Sequence, residues 1–229
     1  MSLRIALWSC PRTVSTALMR AFAQRPDTRC ADEPLYAAYL ARSGKLHPMR
    51  DQILAAGDPD LGRIQAPVVF EKHMAHHLNA VELTPGFFED RVHAYLIRDP
   101  AELILSMRRD LGQVGPEDLG FDRQAELWRQ RGGPVVSSRD LLDHPEGMLR
   151  ALCAELGLDF DPAMLSWPPG RHACYGVWAD FWYKNVEAST GFLPYAPKDE
   201  AFPTELLPLL EWASGNHAEL DGARLKPLP

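Results

Sequence analysis

Seven consecutive residues, Cys10-Pro11-Arg12-Thr13-Val14-Ser15-Thr16, place one permanent cation and three hydroxyls directly after the short apolar run Arg4 to Ser9. A segment of helical period follows at once, with Ala17, Leu18, Ala21 and Phe22 recurring on one face. A loop that leaves a strand and enters a helix presents unpaired N–H groups at the positive end of the helix dipole, which suits a phosphate or sulfate. Arg12 adds charge there, and Thr13, Ser15 and Thr16 add donors. The nucleotide-hydrolase form of such a loop, G-x-x-x-x-G-K-[ST], is absent, since no Gly lies between Met1 and Arg42. An ordinary capped helix start would share these features.

A second group is Arg98-Asp99-Pro100-Ala101-Glu102-Leu103-Ile104-Leu105-Ser106. Pro100 suits a first helical position, Asp99 an N-cap, and Glu102 the partner carboxylate of a capping box. Ser106 lies seven residues past the cap, roughly 700° of rotation, and so returns to nearly the same azimuth. Arg98 and Ser106 can then reach one anion from one side. The plainer alternative pairs Arg98 with a nearby carboxylate.

Acid–base candidates come next. Glu33, in Asp32-Glu33-Pro34, follows a short run from Thr28 to Ala31 that reads as a strand, which puts it beside the first loop. Glu71-Lys72-His73-Met74-Ala75-His76-His77 follows or ends another run, Val68 to Lys72. His73, His76 and His77 have the spacing of one helical face. Zinc would want a further ligand, and H-E-x-x-H is missing, so no metal is expected.

These groups need elements to hold them. Apolar runs at Arg4–Ser9, Thr28–Ala31, Val68–Lys72, His93–Arg98 and Pro134–Ser138 read as five strands, and helical periods lie between them, one from Pro145 to Leu156 stopped by Gly157. Alternation of this kind means an α/β fold around a mainly parallel sheet, three layers deep, with ligands beyond the carboxyl ends of the strands. The 229 residues are read as a single domain, with residues 160–229, rich in Trp, Tyr and Pro, as a covering segment. Hydrophobic residues at 46% and charged ones at 24% argue against a disordered or fibrous chain. With 24 Lys and Arg against 31 Asp and Glu, net charge −7, no nucleic-acid partner is expected. No run approaches a membrane span, no leader-like stretch is visible, and the four Cys lack metal or disulfide spacing, so a cytoplasmic location is expected.

Together the two anion loops resemble the sulfotransferase superfamily, whose members use 3′-phosphoadenosine 5′-phosphosulfate (PAPS). Pro11 to Thr16 is similar to the family's P-[KR]-[ST]-x-[ST]-T loop, and Arg98 to Ser106 fits its R-[ND]-P-x-[DE]-x-x-x-S element at every defined position. A third, weaker likeness is Val135 to Leu141 with the helix ending Leu156-Gly157. The resemblance spans roughly residues 4 to 165. It implies a P-loop NTPase-like fold of sulfotransferase type and transfer of a sulfuryl group to a small-molecule acceptor. It further implies that Arg12, Thr13, Val14, Ser15 and Thr16 bind the 5′-phosphosulfate, Arg12 also acting in catalysis, and that Arg98 and Ser106 bind the 3′-phosphate. Glu33 is the base by this likeness, with His73 or His76 as the second choice, and Trp178 is a nucleotide-site aromatic. The chain departs from the pattern at Val14, where Gly is frequent, and at Arg12, where Lys is usual; the C-terminal basic-Gly and G-x-W pieces survive only as Arg171-His172 and Gly176-Val177-Trp178. A P-loop kinase-like enzyme and a non-catalytic nucleotide- or anion-binding relative remain as rival readings.

Overall fold

Strands that carry apolar side chains on both faces must be covered on both faces, and that requirement organises the chain. The computed structural model describes residues 2–197 and 200–229. Five strands, β1 (Leu3–Ser9), β2 (Thr28–Asp32), β3 (Val68–Met74), β4 (Val92–Ile97) and β5 (Val135–Ser137), form one sheet in the order β2-β3-β1-β4-β5. Every pairing is parallel. Central β1 ends at Ser9 opposite Met74 of β3 and Leu96 of β4, so the loops that follow these strands emerge at one sheet edge.

One face of β1 presents Ile5 and Leu7 to a core shared with α1 (Ser15–Phe22), α2 (Tyr36–Ser43), the helix Pro145–Glu155 and the aromatics Trp167, Tyr175, Trp178 and Tyr183. The opposite face presents Ala6 and Trp8 to the helices Phe121–Arg131 and Leu207–Gly222. The sandwich is thus three layers deep. Leu207–Gly222 packs in this second layer through Leu220, and just beyond it the chain bonds beside β5, Leu225 N–H to the Val135 carbonyl at 2.8 Å. No helix among the described residues is long and apolar enough to cross a membrane.

Two local expectations are corrected. β3 continues to Met74, and only Ala75–Asn79 turns, as a short 3₁₀ helix, so His73, His76 and His77 do not share one helical face. Asp99 does cap the helix Pro100–Leu111, accepting from the Glu102 N–H at 3.1 Å, but Glu102 does not close the box, because its carboxylate is drawn to Arg98 instead.

Candidate active site

The turn from β1 into α1 is built on backbone geometry that side chains disfavour. Arg12 and Val14 both adopt left-handed conformations, with φ of 61° and 58°. For a β-branched residue this costs on the order of 1–3 kcal/mol, which explains why a glycine would suit position 14. Neighbours hold the turn in place. Thr13 Oγ1 donates to the Cys10 carbonyl at 2.9 Å, and Ser138 Oγ lies 2.7 Å from the Thr13 carbonyl and 2.8 Å from that of Ile97. Val14 supplies no side-chain cap, so no side chain of the N-cap satisfies the first N–H groups of α1.

The second anion element meets this turn directly. Arg98 donates from Nη1 to the Arg12 carbonyl at 2.7 Å, and Arg12 donates from Nε to Ser106 Oγ at 3.2 Å. Carboxylates balance both cations: Asp110 lies 3.2 Å from Arg12, and Glu102 lies 3.1 Å from Arg98. Glu102 also accepts from Tyr195, whose ring stacks under Arg139 at 4.3 Å.

A buried polar network fills the other side of the turn. Lys72, 0% exposed, sits 2.8 Å from Asp32 Oδ1, 2.8 Å from Glu33 Oε1 and 3.3 Å from Thr16 Oγ1. Its ammonium also bonds the hydroxyl of Tyr183, which donates to Asp32 Oδ1 at 2.8 Å and accepts from Trp178 Nε1 at 3.1 Å. Burial alone would push the Lys72 pKa down, but Asp32 and Glu33 together hold it above its ordinary value. Burial, reinforced by the same two carboxylates, raises Tyr183 well above a free phenol, so it stays a proton donor. Glu33 itself has φ of 41° and its N–H on the Lys72 carbonyl at 2.8 Å. Its Oε2 has no hydrogen bond among the described residues and faces His77 Nε2 at 3.9 Å.

These parts open onto one cleft of about 410 Å³, lined by Pro11 to Ala17, Glu33, Lys72, Arg98 and Ser106. On the Glu33 side its wall is Tyr36, His47, His76 and His77, and Trp182, Tyr183 and Phe192 also line it. Burial lowers His76 to about 3 and His77 well below its ordinary value, so both imidazoles are neutral near pH 7.

Of the sequence candidates, Arg12, Thr13, Val14, Ser15, Thr16, Glu33, His76, Arg98 and Ser106 are brought to this cleft. His73 and Trp178 are not. Side chains alternate along β3, so Lys72 and Met74 face the cleft while His73 faces the other layer, stacked on Trp8 at 4.5 Å and bonded to Glu71 at 3.1 Å. Trp178 folds back over its own segment: a Cβ on Gly176 would stand 2.2 Å from its ring, so the Gly-x-Trp spacing serves packing. Tyr183 and Trp182, hidden in the same aromatic stretch, take the cleft positions instead; no motif distinguishes them.

A family model described as a sulfotransferase domain matches residues 3–213. The sulfotransferase domain of the Synechococcus PCC 7002 olefin synthase superposes with a TM-score of 0.58 at 20% identity, covering 92% of this chain and 94% of that one. A sulfotransferase from Alicyclobacillus acidocaldarius superposes with a TM-score of 0.56 at 11% identity, covering 100% and 98%. These likenesses show the fold, a five-stranded parallel sheet with helices on both faces. The branched-chain-amino-acid aminotransferase-like protein 1 of Arabidopsis thaliana is 34% identical over 220 residues, 89% of this chain but 39% of that protein. The chain therefore spans about two-fifths of the length of the curated relatives it matches.

Proposed function

The chain belongs to the sulfotransferase domain family, and on that premise we propose that it moves a sulfuryl group from PAPS to a small-molecule acceptor. The observation that carries this is the meeting of both anion elements and a carboxylate in one cleft, with Arg12 bonded to Ser106 at 3.2 Å and Glu33 on the same wall. The uncapped N-terminus of α1, the Thr16 hydroxyl and Arg12 suit the 5′-phosphosulfate end of the donor. Arg98 and Ser106 suit its 3′-phosphate.

The donor supplies an SO₃ group whose departure leaves negative charge on a phosphate oxygen. Arg12 and the α1 N–H groups are fixed where that charge develops, which is the arrangement that lowers a transition state most. Glu33 Oε2 takes the proton of an acceptor hydroxyl or amine, while Oε1 stays bound to Lys72. Lys72 and Tyr183 hold that carboxylate in one orientation, and no step calls for a metal.

A thermal-shift panel tests the reading: adenosine 3′,5′-bisphosphate raises the melting temperature and ATP·Mg does not. Stabilisation by ATP·Mg alone would favour the kinase-like alternative. Bisphosphate binding with no turnover across phenols, alkyl alcohols, sugars and amines would favour a non-catalytic relative.

A further inference from the structure

His77 stands on the short turn Ala75–Asn79 that follows β3, 1% exposed, its ring stacked on those of Tyr36 at 5.0 Å and Tyr39 at 4.8 Å. Its backbone is fixed, the carbonyl accepting from the Ala80 and Val81 N–H groups at 3.2 and 3.0 Å. Yet neither ring nitrogen has a hydrogen-bond partner among the described residues. A phenylalanine would stack as well and leave no polar atom unpaired, so packing alone does not account for an imidazole here. The unpaired Nε2 lies 3.9 Å from Glu33 Oε2, and both residues line the cleft.

A neutral imidazole carries a single proton, and the carboxylate decides where it sits. On Nδ1 it would leave the Nε2 lone pair facing Glu33 Oε2; on Nε2 it points toward that oxygen, which charge favours. The donor and the carboxylate oxygen are too far apart to bond each other. They are spaced for one atom between them. At hydrogen-bond lengths of about 2.8 Å that atom would see its two partners about 90° apart, not far from tetrahedral.

We infer that His77 selects a hydroxyl acceptor over an amine, donating Nε2–H to the acceptor oxygen while Glu33 Oε2 takes that oxygen's proton. This rests on the sulfuryl-transfer reading above. A hydroxyl oxygen has one proton and two lone pairs. The proton goes to Glu33, one pair accepts from His77, and the other is left to attack sulfur. In that step the new O–S bond forms and the bond from sulfur to the bridging phosphate oxygen breaks. The electron pair leaves on the bridging oxygen, the acceptor proton ends on Glu33, and His77 keeps its own. A neutral amine has a single lone pair, which sulfur needs, so His77 stays unpaired beside it; an ammonium has none.

The test gives the full chain PAPS and matched probes, phenol beside aniline and benzyl alcohol beside benzylamine, in wild type, His77→Phe and His77→Gln. Phe keeps a stacking ring without a donor, and Gln returns an N–H. Wild type should prefer the hydroxyl of each pair. His77→Phe should lower kcat/KM for the hydroxyl probes by about 10- to 100-fold and for the amines by no more than about twofold, so their ratio collapses; His77→Gln should recover most of the loss. Calorimetric affinity of His77→Phe for adenosine 3′,5′-bisphosphate should stay within about twofold of wild type, which shows the donor site intact. Nitrogen NMR of isotope-labelled wild type saturated with the bisphosphate needs no acceptor and should find the His77 proton on Nε2. A wild type that prefers the amines, equal losses for both members of a pair, no loss at all, or a proton on Nδ1 overturns the role of His77 and leaves the transfer reading standing. Wild type that binds no bisphosphate, or sulfates none of the probes, strikes the transfer reading itself and this inference with it.

Discussion

Glu33 and Lys72 hold each other twice: the Glu33 N–H donates to the Lys72 carbonyl at 2.8 Å, and Glu33 Oε1 accepts from the Lys72 ammonium at 2.8 Å. One bond fixes the backbone of the carboxylate and the other fixes its side chain. Only Oε2 is left to face an acceptor. A lysine that is 0% exposed is tolerable here because two carboxylates share it, and the arrangement spends that charge on orienting a third group.

Glu33→Gln keeps the shape of this pairing and removes the proposed base. Sulfuryl transfer to an accepted substrate should fall by about 10²–10⁴-fold, the range of general base catalysis, while adenosine 3′,5′-bisphosphate binding changes by no more than about twofold. Steady-state kinetics beside calorimetric titration would show it. A variant that loses binding and turnover in parallel would make Glu33 a structural carboxylate.

In the proposed transfer Arg12 stands where charge builds, and it touches Ser106 and Asp110. Arg12→Ala should therefore reduce turnover more than affinity for the bisphosphate product, by about tenfold or more, since stabilisation made only in the transition state appears in kcat. Equal losses in both quantities would assign Arg12 to ground-state binding alone.

Behind the sheet, Glu71 is 0% exposed and bonded to Arg4, Arg91 and His73. Burial opposes its charge, yet His73 and Arg91 outweigh burial and bring Glu71 down to about 2, against 4.5 ordinarily. A depressed carboxylate adds stability that is present in full above about pH 4.5 and disappears as pH falls toward 2, on the order of 3 kcal/mol in all. Urea unfolding of wild type and Glu71→Gln at stepped pH should show the difference between them shrinking across that window. A difference that does not change with pH would mean that Glu71 acts through shape rather than charge.

Gly176→Ala would push a methyl group into the Trp178 ring, whose atoms stand 2.2 Å from the added Cβ. The ring must move, and with it the Nε1 bond to Tyr183, so destabilisation of about 1–3 kcal/mol is expected with altered tryptophan emission. Unchanged emission and stability would show that the segment yields freely.

What the sequence discloses of the site is what depends on neighbours in sequence. The turn at Arg12–Thr16 and the cap at Asp99 are local, so residue types and spacing reveal them. Five apolar runs punctuated by helical periods likewise reveal the parallel sheet. The Lys72–Tyr183 contact joins residues 111 apart, and no local pattern foretells it. His73 depends on the strand's length: β3 runs on through Met74, which turns His73 to the opposite face and leaves Lys72 toward the cleft. Trp178 packs over Gly176, a contact that the Gly-x-Trp spacing does not distinguish from an approach to ligand.

The most direct measurement is calorimetric titration of wild type and Arg98→Ala with adenosine 3′,5′-bisphosphate and, separately, with 5′-AMP. Arg98, already within 2.7 Å of the Arg12 carbonyl, should carry the 3′-phosphate. Its loss should weaken bisphosphate binding by about 10- to 100-fold, the equivalent of a charged hydrogen bond or two, and leave 5′-AMP binding nearly unchanged. Equal losses for both nucleotides, or wild-type protein that binds neither, would contradict the account.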